Sequence, residues 1–285
     1  MREPIAAPRA LPMASLDQAR HFRCLAPLLG KDGAMLGCVL LTNDDGIDAP
    51  GLQLLERVAA TLAREVWVVA PEHDQSGTSH ALSLHAPLRV SPRGERRFAV
   101  RGTPGDCVVV GMRHLLGAMP DLVLSGINRG SNIGMETVLS GTIGAAMTAM
   151  FLGARAIALS QAFEDGNVPW ETAEALAAGV IRQLADLQWD GACLSVNFPP
   201  CTPDRARGLA VTRQGVGLLD TIDVVERTDP RGIMYQWLHM RRGARQDTPG
   251  TEAAAIAAGH VSVTPLRFER TDEAAFASLA ARLPS

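Results

Sequence analysis

Apolar residues in this chain fall into short unbroken runs separated by stretches where they recur every three or four positions. Residues 39–42 form one run, residues 50–63 place Leu54, Leu55, Val58 and Leu62 on one helical face, and residues 66–70 are apolar again. That order is a strand, an amphipathic helix and a second strand. After an irregular polar stretch the alternation resumes, with helix at 106–116, strand at 122–125, helix at 141–152, strand at 156–160, helix at 171–187 and strand at 193–197. Short strands that are apolar throughout, each followed by a helix, predict a doubly wound α/β fold whose mostly parallel sheet is covered on both faces. Residues 208–242 break the rhythm with β-formers, glycine and charge and read as an extended hairpin arm. A final strand at 260–264 and helix at 272–282 follow, within a C-terminal element spanning 251–285.

Composition narrows the class. Of the 285 residues 47% are hydrophobic and 20% charged, the balance of a soluble globular protein with a sizeable core. The formal net charge of -3 offers no clustered basic face for duplex nucleic acid. The most membrane-like segment, residues 143–159, is interrupted by Arg155, so a buried helix followed by a buried strand is expected there rather than a span. Cys24, Cys38, Cys107, Cys193 and Cys201 are scattered and odd in number, which suits a reducing cytoplasm and neither a disulfide framework nor a zinc cage. Residues 1–34, with prolines at 4, 8, 12 and 27, read as a loose extension ahead of one domain covering 35–285. Met35, just before the first strand, is an alternative start.

Open parallel sheets bind ligands outside the carboxyl ends of their strands. Here the first strand runs into TNDDG with Asn43, Asp44 and Asp45, the second into PEHDQSGTSH with Ser76, and the third into GINRGSNIGMETVLSGT with Asn128 and Ser140–Gly141–Thr142. Two carboxylates with hydroxyl and amide oxygens make a hard, oxygen-only donor set suited to Mg2+ or Mn2+. NDDG also suits a plain strand-to-helix turn with Asp as helix cap. SGTIGAAM puts Ser140, Gly141 and Thr142 at the mouth of a small-residue helix, a place for a phosphate or merely for a Ser or Thr cap. The residues alone leave both alternatives open.

Other signatures fail. Neither GxGxxG after the first strand nor GxxxxGK[ST] occurs. Cys107 and Arg113 have the Cys-x5-Arg spacing of a cysteine phosphatase, but an apolar helical run replaces the glycine-bearing loop. His73, His80 and His85 accompany Ser76 without a GxSxG elbow, leaving His73 or His80 at most on a pocket rim.

Taken in order, LLTNDDGIDAPGLQLL, VVAPEHDQSGTSHALSL, GTPGDCV, DLVLSGINRGSNIG, SGTIGAAM, VNFP, DPRGIMYQW and GHVSVTPL resemble the survival protein SurE family of metal-dependent 5'/3'-nucleotidases, from about Met35 to the end. The resemblance implies a Rossmann-like core, a protruding β-hairpin, and a C-terminal element exchanged between subunits in a homodimer or homotetramer. It implies that Asp44, Asp45, Ser76 and Asn128 hold one divalent cation per subunit, Mg2+ or Mn2+. Asn43, Ser140, Gly141 and Thr142 then line the phosphate pocket, and Asp44 or Asp45 serves as base towards an attacking water. The implied substrates are nucleoside 5'- and 3'-monophosphates and short polyphosphate; the alternative is a non-catalytic nucleotide- or metal-binding oligomer. Leu139, Thr148, Ala149 and His260 depart from the family pattern, and none belongs to the metal set.

Overall fold

The computed structural model describes residues 35–189, 191–243 and 248–283, so the expected extension over residues 1–34 lies outside the described residues. In chain order the first half contains β1 (Leu36–Thr42), α1 (Pro50–Ala60), β2 (Ala63–Pro71), β3 (Arg89–Gly94), β4 (Arg97–Arg101), α2 (Pro104–Val110) and β5 (Leu122–Arg129). Then come α3 (Glu136–Leu139), α4 (Gly141–Phe151), β6 (Ala156–Gln161), α5 (Trp170–Ala185), β7 (Cys193–Phe198) and β8 (Leu209–Val211). The chain finishes with β9 (Leu219–Thr228), β10 (Met234–Arg242), α6 (Glu252–Ala257), β11 (Val261–Leu266) and α7 (Glu273–Ala280).

Nine strands form one sheet in the order β3-β4-β2-β1-β5-β6-β7-β11-β8, and β9 and β10 pair separately. The expected α/β class therefore holds, with β3 against β4 and β11 against β7 as the antiparallel pairs of the main sheet. Alternation along β1 explains the layering. Val39 and Leu41 point to the side of Leu52, Leu55, Val180 and Ile181 from α1 and α5, while Leu40 points to Val108, Ile143 and Ala146 from α2 and α4. Both faces are dry, which is why the strands lack a polar phase. Residues 143–159 are the buried helix and strand expected of them.

Several boundaries moved, each for a physical reason. The first helix stops at Ala60 rather than 63, because Ala63 is already paired with Leu36 at the start of β2. The helix expected from 106 begins at Pro104. Thr103 Oγ1 accepts from the Asp106 N–H at 3.1 Å and the Thr103 N–H donates to Asp106 Oδ2 at 2.9 Å, a reciprocal cap. It then widens into a π turn over Gly111–Leu115. The polar stretch taken as irregular contains β3 and β4, whose arginines and proline decorate a sheet edge where apolar alternation is weakest. The arm begins later than 208, since Leu209–Val211 joins the main sheet beside β11 and only β9 and β10 project. Asp229 closes its tip, accepting from the N–H groups of Arg231 at 2.8 Å and Ile233 at 2.9 Å.

Among the described residues no helix is long and apolar enough to cross a membrane.

Candidate metal and phosphate site

The chain turns one way from β1 to β2 and β4, and the other way from β5 to β6 and β7, so the strand order switches between β1 and β5. This is where an open sheet leaves a crevice. Asp44 and Asp45 leave β1 on one side of it and Asn128 ends β5 on the other.

The turn and the carboxylates have separate tasks. Asn43 donates its amide to the Gly46 carbonyl at 2.8 Å, and Gly46 takes a φ of +101° that side chains resist. Asn43 is thus a buried turn residue, and among the described residues its Oδ1 has no protein partner. The position before α1 is Ala49, without a side-chain cap, so neither aspartate is spent on capping.

Asp44 is 4% exposed and accepts a hydrogen bond from the Thr142 hydroxyl at 2.5 Å. Its carboxylate lies against the start of α4 so closely that a Cβ on Gly141 would sit 2.8 Å from Asp44 Cβ. The positive end of α4 therefore faces Asp44 itself. Burial raises the Asp44 carboxyl above its ordinary value, opposed by the Thr142 bonds. Asp45 is pushed up to about 6, first by burial and then by the charge of Asp44, and the Arg129 N–H at 3.4 Å opposes the rise. Among the described residues neither aspartate forms an ion pair.

Ser76 and Asn128 reach this edge from opposite sides. The Gln75 N–H donates to the Asp44 carbonyl at 2.8 Å, which brings the exposed Ser76 beside the carboxylates. The Ser76 N–H is in turn held by Asp74 Oδ1 at 2.7 Å. Asn128 follows an irregularity in the β5–β6 register and donates its amide N–H to the Gly130 carbonyl at 3.0 Å, which commits its nitrogen rather than its oxygen. Ser140 caps α4 by accepting from the Ile143 N–H at 3.1 Å. Of the two readings of SGT the capping one is observed, since the Ser140 hydroxyl caps α4, and Thr142 orients Asp44.

Two participants were missed from sequence. Asp74 orients Ser76, and its charge raises both Asp44 and Asp45. Ser79 takes a left-handed φ of 56°, its N–H donates to the Leu139 carbonyl at 3.1 Å and its hydroxyl to that of Val138. It thereby ties the Ser76 loop to the start of α4. The polar, turn-forming PEHDQSGTS was the available signal. The histidines play other parts: His80 packs between Ser79 and Met147 Sδ, each at 3.1 Å, and His73 is exposed. Cys107 lies inside α2 with its thiol pushed far up by burial, which removes the cysteine phosphatase reading.

The donors fit a hard divalent cation. One buried and one half-buried carboxylate that form no ion pair among the described residues, plus one hydroxyl and one amide oxygen, supply charge and oxygens of the required kind. No group of three or more His, Cys, Asp or Glu among the described residues competes as a metal site.

Residues 39–220 match the sequence model of the family Survival protein SurE. The chain is 62% identical over 244 residues to "5'-nucleotidase SurE 1" of Burkholderia lata, covering 85% of this chain and 94% of that protein. It is 50% identical over 243 residues to "5'-nucleotidase SurE" of a Bradyrhizobium strain, covering 83% and 95%. The crystal structure of the SurE protein from Aquifex aeolicus superposes with a TM-score of 0.73 at 33% identity, over 86% of this chain and 98% of that one.

Proposed function

Because this chain belongs to the survival protein SurE family, we propose that it is a phosphoric monoester hydrolase releasing phosphate from nucleoside 5'- and 3'-monophosphates. The observation that carries the reading is Asp44 beside Asp45 at the strand-order switch, with no ion pair to either among the described residues and Asp44 under the N-terminus of α4.

Asp44, Asp45, Ser76 and Asn128 are the residues to hold one divalent cation per subunit, with Mg2+ and Mn2+ favoured by the all-oxygen set. Bound there, such an ion supplies charge neutralisation and a water of lowered pKa. The chain does the rest. Thr142 fixes the rotation of the Asp44 carboxylate through its hydroxyl. The positive N-terminal end of α4, whose Ile143 N–H is held by Ser140, attracts phosphate oxygens once the Asp44 charge is balanced. The uncommitted oxygen of Asp45 is placed to take a proton from the attacking water. Short polyphosphate offers the same terminal group to the same donors.

The working unit is a homo-oligomer in this reading. Ile222, Val224, Leu238 and Met240 share one exposed face of the arm, and α7 has no buried residue although it carries Phe276 and Leu279. Those surfaces suit a second copy of the chain, and exchange of the C-terminal element is one way to cover α7. The cytoplasm suits the free thiols of Cys38, Cys107, Cys193 and Cys201.

The test is phosphate release from 5'- and 3'-nucleoside monophosphates by metal-stripped protein, with and without added Mn2+ or Mg2+. Release that needs the ion is the expected result. Folded, ion-loaded protein that binds nucleotides and releases nothing would replace the enzyme with a binding protein.

A further inference from the structure

Next to the carboxylate edge lies a feature the phosphate chemistry does not use. Arg129 follows Asn128 at the end of β5, and its N–H donates to Asp45 at 3.4 Å. Its guanidinium turns away from that carboxylate and lies over the ring of Phe163, 4.9 Å from the centroid. One guanidinium nitrogen also reaches the Gly166 carbonyl at 3.5 Å. No ion pair among the described residues involves Arg129, and the residue is exposed.

The shelf under it is built. Phe163 is half-buried and backed by Gly130, where a Cβ would meet the ring at 3.5 Å. The segment after it closes into a tight turn, with Glu164 bridged to Asn167, Asp165 at a φ of 51° and Gly166 at 77°. The guanidinium is therefore held against the face of the ring just past the end of β6, the strand next to β5.

We propose that Arg129 and Phe163 form the shelf on which the substrate's nucleobase stacks while its phosphate sits at Asp44, Asp45 and α4. This rests on the nucleotidase reading and goes further by assigning the part of the site that recognises the nucleoside. Three physical points support it. An arginine side chain reaches about as far from its backbone as a ribose holds a base from its phosphate, so a shelf anchored beside Asp45 is at the right range. A guanidinium is planar and weakly hydrated and stacks on aromatic faces and on bases alike. Stacking is indifferent to base identity, so the site takes purine and pyrimidine nucleotides and favours the larger purine face.

Steady-state hydrolysis of adenosine 5'-monophosphate and of ribose 5-phosphate, which lacks the base, tests this in ion-loaded wild type, Arg129→Ala and Phe163→Leu. Thermal melting establishes that each variant is folded, and Arg129→Ala keeps the N–H that reaches Asp45. In both variants the ratio of kcat/KM for the nucleotide to that for ribose 5-phosphate is expected to fall about tenfold, through KM, the scale of one base stacked on one side chain. Equal losses on the two substrates, or no change in either, overturn the shelf while active wild type leaves the nucleotidase reading standing. Wild type that hydrolyses neither substrate overturns that reading and the shelf with it.

Discussion

Thr142 and Asp44, 98 residues apart in sequence, share a 2.5 Å hydrogen bond in which the helix hydroxyl donates to the buried carboxylate. Through it, a residue in the first turn of α4 sets the orientation of a residue just past β1. Thr142→Val keeps the shape and removes the donor, leaving Asp44 less well held. Its Mn2+ affinity, read by calorimetry, is expected to fall about tenfold, in line with the loss of a partner that orients a metal-binding side chain. Asp44→Asn removes the charge and one carboxylate oxygen, and phosphate release is expected to fall by about 10²–10⁴ while the melting temperature is retained. Asp44→Asn with retained, tightly ion-dependent turnover would contradict the assignment.

Gly141 tolerates no side chain. The added Cβ of Gly141→Ala would lie 2.8 Å from Asp44 Cβ and 3.1 Å from Pro104 Cγ. Overpacking of this kind costs about 1–3 kcal/mol, to be read from urea denaturation. The same substitution is expected to weaken ion binding, because the easiest relief is a shift of Asp44 away from α4. Unchanged stability would show that helix and strand end are not in the contact described.

Ile222 faces Met240 and Val224 faces Leu238 across the arm, so one side of the hairpin is an exposed apolar strip. Such a strip on a projecting ribbon marks an interaction surface. Val224→Asp with Leu238→Asp places like charges where apolar contact is expected and should reduce the assembly, measured by sedimentation velocity, to a smaller species. If the double variant sediments as wild type, the arm does not make the interface.

At the arm's root Arg242 Nε meets Glu136 Oε1 at 3.1 Å. Burial raises the Glu136 carboxyl above its ordinary 4.5, and Arg242 opposes that rise. Without the arginine the folded-state value climbs further, so the fold prefers the protonated acid and loses stability as pH rises through it. Arg242→Gln should therefore destabilise the protein more at pH 8 than at pH 4, a difference visible in melting temperatures at the two values. An equal loss at both would mean that Arg242 acts by packing alone.

Much of the site could be read in advance because its residues sit at strand ends, and strand ends follow from apolar runs that any burial argument detects. Asp44, Asp45, Ser76 and Asn128 are the polar residues left where β1, β2 and β5 stop. Asn43 was harder, because its amide looks the same in sequence whether it turns the chain towards Gly46 or faces a ligand. Asp74 went unread since its role is to hold the Ser76 N–H and to add charge at a distance, neither of which leaves a periodic trace. The hairpin of β3 and β4 is hard to read because the edge strand β3, with one neighbour and a solvated face, carries arginine and proline where a central strand carries valine.

What the chain determines by itself is the order of its elements, the apolar faces that fold them into one sheet, and the polar loops that must emerge at one edge. These depend on spacing within a few residues, on capping and on glycine. Tertiary structure alone decided which of those polar groups were consumed locally and which were left for chemistry. Ser140 went to its own helix, Asn43 to its own turn, and Asp44 to a partner 98 residues away. That division depends on where packing against β5 and β6 sets α4, to within the width of a missing Cβ at Gly141, a distance no local pattern encodes.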